Sequence, residues 1–263
     1  MQQIVNQRAP LTKYRQLDER EIIQTLERLR NRIGERFPQS GLSRVGEELL
    51  AVANDASGVV AYLQRPNWPA RASAGLAIIG MLAAVGILAI RVRGPTGVTG
   101  LADVIQVIEA GINDLIFFGI ALFFLLRIET RLKRRQALKM IHQLRSLAHV
   151  VDMHQLTKDP ERLLSAASET TSSPTRTMTA PDLGRYLDYC SELLSITSKV
   201  AALLVQYVDD AVVLGAVNEI ETLTTGLSSK IWQKITILDR ALARMQSRST
   251  PPELAAPPKK AAT

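Results

Sequence analysis

The chain has 263 residues, a net charge of +7, a hydrophobic fraction of 46% and an aromatic fraction of only 5%. Its single cysteine, Cys190, excludes an intramolecular disulfide framework. Ala, Leu, Arg and Glu dominate outside the most apolar stretches, which favours helix over sheet.

Residues 1–16 are polar and lack the apolar core of a secretory signal. Asp18 with Glu21 fits a capping box. A helix carrying Ile22, Ile23, Leu26, Leu29 and Ile33 then runs to about Arg36, where Phe37-Pro38-Gln39-Ser40-Gly41 stops it. A second helix starts near Ser40, with Leu42, Val45, Leu49, Val52, Ala56, Val59, Val60 and Leu63 at a period near 3.6. The two are expected to form a hairpin. Trp68, between Pro66 and Pro69, stands where an interface anchor belongs.

Ala72 to Ile90 is an uncharged run of nineteen residues. A bilayer core of about 30 Å needs roughly 20 apolar helical residues, so this run predicts one span. Ser73, Ala77, Gly80 and Ala84 fall on one face of it, as small residues do where helices pack closely in lipid. Arg93 to Gly100 reads as a turn-rich outer loop. Leu101, Val104, Ile105 and Ile108 oppose Asp103, Gln106 and Glu109, so this stretch either lies in the outer interface or begins the second span. Ile112 to Leu126 is the apolar body of that span, with Asn113 and Asp114 at its start.

Past Arg127 nothing breaks the helix. Leu132, Leu138, Ile141, Leu144, Leu147, Ala148 and Val151 extend an apolar stripe into a stalk ending near Leu156. Asp159-Pro160-Glu161 reads as the start of a short helix, and Ser168–Ala180 as a Ser/Thr-rich loop. Thr179 with Asp182 caps a helix from Pro181 to Gln206. The last helix, about Asp210 to Arg248, repeats apolar residues at heptad spacing, which predicts bundle or coiled-coil packing. The tail from Ser249 is expected to be disordered.

The expected fold class is therefore an all-α membrane protein with two transmembrane helices, a cytoplasmic helical hairpin and a C-terminal helical bundle or coiled-coil-like domain. The divisions are 1–70 for the hairpin, 71–128 for the membrane region with its loop near 91–103, 129–248 for stalk and bundle, and 249–263 for the tail. Lys and Arg flank the spans on the side of both termini, which places both in the cytoplasm of an inner-membrane, multi-pass, bacterial-style protein.

The densest charge lies at Arg127, Arg131, Lys133, Arg134, Arg135 and Lys139. Arg127, Arg131, Arg135 and Lys139 recur every four residues, forming a stripe suited to anionic head groups. No nucleic-acid recognition module accompanies the positive charge. Asp114 lies about 19 Å of helix before Arg127, so it stands either in the outer third of the bilayer core, as an ion or proton residue, or at the outer interface. His142, His149 and His154 cluster with Asp152. Metal-binding histidines pair at i, i+4 on one helix face, whereas His149 and His154 are five apart and splay, which argues against a metal. Cys190, among leucines, reads as a core residue. The motifs of nucleotide loops, serine hydrolases and redox dithiols are absent.

The sequence thus predicts no catalytic residue, metal or cofactor. It predicts a scaffold or signalling protein that self-associates and acts on an unidentified cytoplasmic protein partner, with a small oligomeric channel through Asp114 as the alternative. The segment 137–248 is expected to be soluble and helical.

Overall fold

The computed structural model describes residues 16–65, 68–93, 100–160, 171 and 178–249. Among these are six helices and no strand. The expected short helix after Pro160, most of the Ser/Thr-rich loop, residues 94–99 of the outer loop and the tail from 250 lie outside the described residues.

Helix α1 spans Glu19–Arg36. It begins because the Asp18 carboxylate accepts the backbone N–H groups of Arg20 and Glu21, two donors that otherwise have no partner. Its buried residues, Ile22, Leu26, Leu29 and Ile33, recur on one stripe. Burying each such side chain stabilises by about 1.5–3 kcal/mol. The helix stops where Phe37 N–H donates to the Ile33 carbonyl and Gln39 takes a left-handed φ of 58°. Ser40 then caps α2, Gly41–Gln64, its hydroxyl accepting the Ser43 N–H at 3.1 Å.

Helix α3 spans Trp68–Arg93 and packs on the first half of α4, Leu101–Leu156. The amphipathic stretch after Gly100 is thus the first part of a single helix of 56 residues, about 84 Å long. Leu115, Ile116 and Phe117 are 59%, 53% and 73% exposed. Successive residues point about 100° apart, so apolar surface is bare on nearly every face. Leu76, Ile79, Leu82 and Ile90 of α3 are bare as well. By length and composition, α4 from Ile108 onward can cross a membrane, with a best window of mean hydropathy 1.9. The apolar stretch of α3, Ala72–Ile87, is shorter.

The second half of α4 behaves differently. Ala137, Ile141, Leu144, Ala148 and Val151 are buried against α2, α5 (Ala180–Val205) and α6 (Ala211–Ser249). The Thr179 hydroxyl caps α5 by accepting the Asp182 N–H. The Asp210 carboxylate caps α6 by accepting those of Val212 and Val213 at 3.0 and 3.2 Å. Val213, Val217, Ile220, Thr224, Leu227, Ile231 and Leu238 of α6 are buried. The heptad spacing of that helix is therefore used within this chain's own bundle, against α5 and α4.

The N-terminal hairpin shares its core with the C-terminal helices. Phe37 meets Tyr186 and Tyr189 edge-on, at 5.4 and 6.2 Å between ring centroids. Arg32 pairs with Glu192 at 2.6 Å and Arg36 with Asp182 at 3.4 Å. The Gln206 amide clasps the chain entering α1, accepting the Leu17 N–H and donating to its carbonyl. Ser57 and Glu19 hydrogen-bond across the hairpin itself.

Candidate functional site

The basic run at the middle of α4 divides by partner. Arg127 lies over the Phe123 ring at 5.1 Å and Arg131 over Phe124 at 6.0 Å. The two guanidinium groups lie one and two turns along the helix from the exposed ring each faces, a cation–ring contact that favours arginine over lysine. Lys133 pairs with Glu129 at 3.0 Å along the same helix. Arg134 turns toward the bundle, with Nε and Nη2 at 2.7 and 2.6 Å from one Asp210 oxygen. The Asp210 side chain is only 3% exposed. Burial opposes its charge, but Arg134 and two backbone N–H groups outweigh burial and hold the carboxyl below the usual aspartate range. Arg134 therefore fixes where α6 starts against α4, a structural role that sequence assigned to the membrane stripe.

Arg131, Arg134, Arg135, Leu138, Lys139, His142, Gln143 and Ser146 line one shallow groove of about 610 Å³. Arg131, Arg135 and Lys139 of the stripe read from sequence thus share one surface, and none of the described residues lining it is acidic.

Asp114 lies at the seam of α3 and α4. With Met81, Ala84, Val85, Gly111, Leu115 and Phe118 it lines a cavity of about 30 Å³, room for about one water. No hydrogen bond or ion pair holds it among the described residues. Of the small-residue face, Ala77 and Ala84 are half-buried, whereas Ser73 and Gly80 are exposed. Among the described residues of α3, Ala74 is buried and Gly75, Ala77, Met81 and Ala84 are half-buried, so the seam with α4 takes in half of the expected face.

The three histidines do not converge. His142 and His149 are exposed. His154 lies over Gly41 at the start of α2, where a Cβ would overlap its imidazole. Burial, then Arg44 and Lys158, hold its pKa below the ordinary histidine value. Among the described residues no three His, Cys, Asp or Glu side chains are placed to hold a metal ion. Cys190 is buried, and burial pushes its thiol up to about 12, which makes it a poor nucleophile.

Two features went unread in the sequence. Gln155 is 1% exposed, its side-chain amide donates to Asp152 at 2.6 Å, and its backbone carbonyl accepts from the Lys234 ammonium at 2.7 Å. Burial lowers the Lys234 pKa, against the nearby Asp159 and Asp152 carboxylates. A groove of about 1020 Å³ between the start of α1, α5 and α6 exposes 68% of Trp232. Trp232 follows a buried stripe position, so helical periodicity alone would have put it outside the core. Comparison with known protein families, curated proteins and solved structures finds no match for the chain.

Proposed function

We propose that this chain is a non-enzymatic inner-membrane scaffold or signalling protein. Helices α3 and α4 cross the bilayer, and both termini and the bundle are cytoplasmic. The observation that carries the reading is α4 itself. One unbroken helix is bare and apolar around Leu115–Phe117 and buried around Leu144–Ala148. Bare apolar surface of this extent suits lipid rather than water. The Arg127 and Arg131 contacts with Phe123 and Phe124, and exposed Trp68 at the start of α3, suit the inner interface. Anionic head groups are the natural neighbours of Arg127 and Arg131. Gly80 and Gly86, open to the outside of the helix pair, leave room for a second copy to approach.

Single cysteines test the topology. In a Cys190→Ser background, Gly100→Cys should react with an impermeant maleimide in intact bacterial spheroplasts, whereas Glu27→Cys should react only after lysis. Equal labelling of both before lysis, or release of the chain by an alkaline carbonate wash, overturns the reading.

A second reading makes Asp114 part of an ion path in an oligomer. Its support is an exposed carboxylate without a partner among the described residues, beside a cavity of about 30 Å³. Asp114→Asn should then change ion flux in proteoliposomes. An unchanged flux, or none with the wild type, removes it.

A further inference from the structure

The groove on α4 extends further from the bilayer than a lipid contact needs. With Arg127 at the inner edge of the apolar core, Arg131 lies about 6 Å below it, Arg135 about 12 Å, Lys139 about 18 Å and His142 about 22 Å. The head-group layer is only about 5–7 Å deep. A helix tilt of about 20° shortens these depths by less than a tenth. Lys139 thus stands more than a Debye length, about 8 Å at physiological salt, beyond the lipid charges. The leaflet accounts for Arg127 and Arg131, and Arg135 still stands within its screened field, but not for the lower end of the stripe at Lys139.

The bundle does not account for it either. Glu129 satisfies Lys133 and Asp210 satisfies Arg134. Arg135 and Lys139 are exposed and have no ion pair among the described residues. Between these cations the groove has a floor of Leu138 and the aliphatic stems of the basic side chains, with Gln143 and Ser146 at its far end. From Arg131 to His142 it runs about 16 Å, three turns of helix.

We propose that this groove docks an acidic, amphipathic helical segment of a cytoplasmic partner protein. Carboxylates every fourth residue along such a helix would meet Arg131, Arg135 and Lys139, while an adjacent apolar residue rests on Leu138. This names the chemistry of the partner in the scaffold reading and rests on the membrane placement of α4.

The test uses the full chain in nanodiscs of neutral phosphatidylcholine. The probe is a fluorescent helical peptide of about 14 residues, with glutamates at i, i+4 spacing flanked by leucines. A peptide of the same composition with its glutamates scattered round the helix is the control. Anisotropy should show binding of the patterned peptide, weakened by salt. Arg135→Gln with Lys139→Gln should weaken it about four- to twentyfold, since each lost exposed charge pair is about a two- to fivefold effect. Arg127→Gln should change it less than about twofold. No binding, equal binding of the scattered peptide, or equal binding by the double variant overturns the proposal. Loss of co-purified phosphatidylglycerol in the double variant, without loss of peptide binding, would assign the groove to lipid instead. A chain that does not enter nanodiscs refutes the membrane placement itself, and the proposal with it.

Discussion

Arg134 and Asp210 join two helices whose contact residues are 76 positions apart, and a double-mutant cycle measures what that pair contributes. Arg134→Gln leaves a carboxylate that is 3% exposed and held only by the Val212 and Val213 N–H groups. Exposed ion pairs contribute at most about 1 kcal/mol, whereas removing one partner of a fully buried pair costs about 3–5 kcal/mol. Arg134 is itself 39% exposed, so the expected cost lies between, at about 2 kcal/mol. Asp210→Ala removes the α6 cap, about 1 kcal/mol, and the ion pair with it. Asp210→Asn keeps a good cap and removes only the charge. Combined with Arg134→Gln it should cost clearly less than the two single changes added together, with a coupling of about 1–2 kcal/mol. Thermal unfolding in mild detergent, followed by circular dichroism, should show Arg134→Gln lowering Tm by about 4–8 °C. The pH dependence adds a second signature. A lowered folded-state pKa means that the Asp210 contribution is complete above its unfolded value of 3.8 and is lost as pH falls through the folded one. Arg134→Gln should therefore flatten the acid limb of the stability curve. Additivity within about 0.3 kcal/mol would refute the reasoning and leave apolar packing alone to fix how α4 and α6 meet.

His154 has a lowered folded-state pKa, so its contribution is complete above 6.5 and declines as pH falls below that; Tm should fall as pH drops below 6.5, and an equal slope in His154→Gln would refute this. Gly41→Ala should turn the His154 imidazole aside at a cost of up to about 1 kcal/mol, because the new methyl overlaps the ring, and that cost should vanish in a His154→Ala background; an equal cost in both backgrounds would show that the overlap is not the cause. The segment 137–248 alone lacks the hairpin that covers part of its core, so it should melt without a sharp transition until a peptide of residues 16–65 is added; cooperative melting of the segment by itself would show the hairpin to be dispensable.

Local order was legible in the sequence. Asp18 and Thr179 cap the helices they were expected to cap, and α2 starts at the expected Ser40, because a cap is made by side chain and backbone within three residues of each other. The stripes of α1 and α6 were legible because apolar and polar residues alternate with the helical period. Partners across the fold were not. Arg134 and Arg135 are chemically identical neighbours, and only the arrival of Asp210 separates a structural residue from a free one. In α3 half of the small-residue face, Ala77 and Ala84, is half-buried, and sequence alone could not say which half, because a helix that is apolar all round carries no polarity contrast to mark the packed side. The heptads of α6 gave the packing period without saying whose helix fills it, and α5 and α4 of the same chain do. His154 settles on Gly41, a contact that no spacing within α4 could reveal.

From Ile120 to Leu156, α4 contains neither glycine nor proline. Kinks concentrate at such residues, so this length offers no natural hinge and behaves as a shaft. Its two ends are locked in phase. One residue inserted just after Arg127 would turn the apolar end about 100° against the bundle and move it about 1.5 Å. Seven would restore the facing to within about 20° but lengthen the shaft by about 10 Å. A rotation of the apolar end would reach Leu144 without a hinge residue to absorb it.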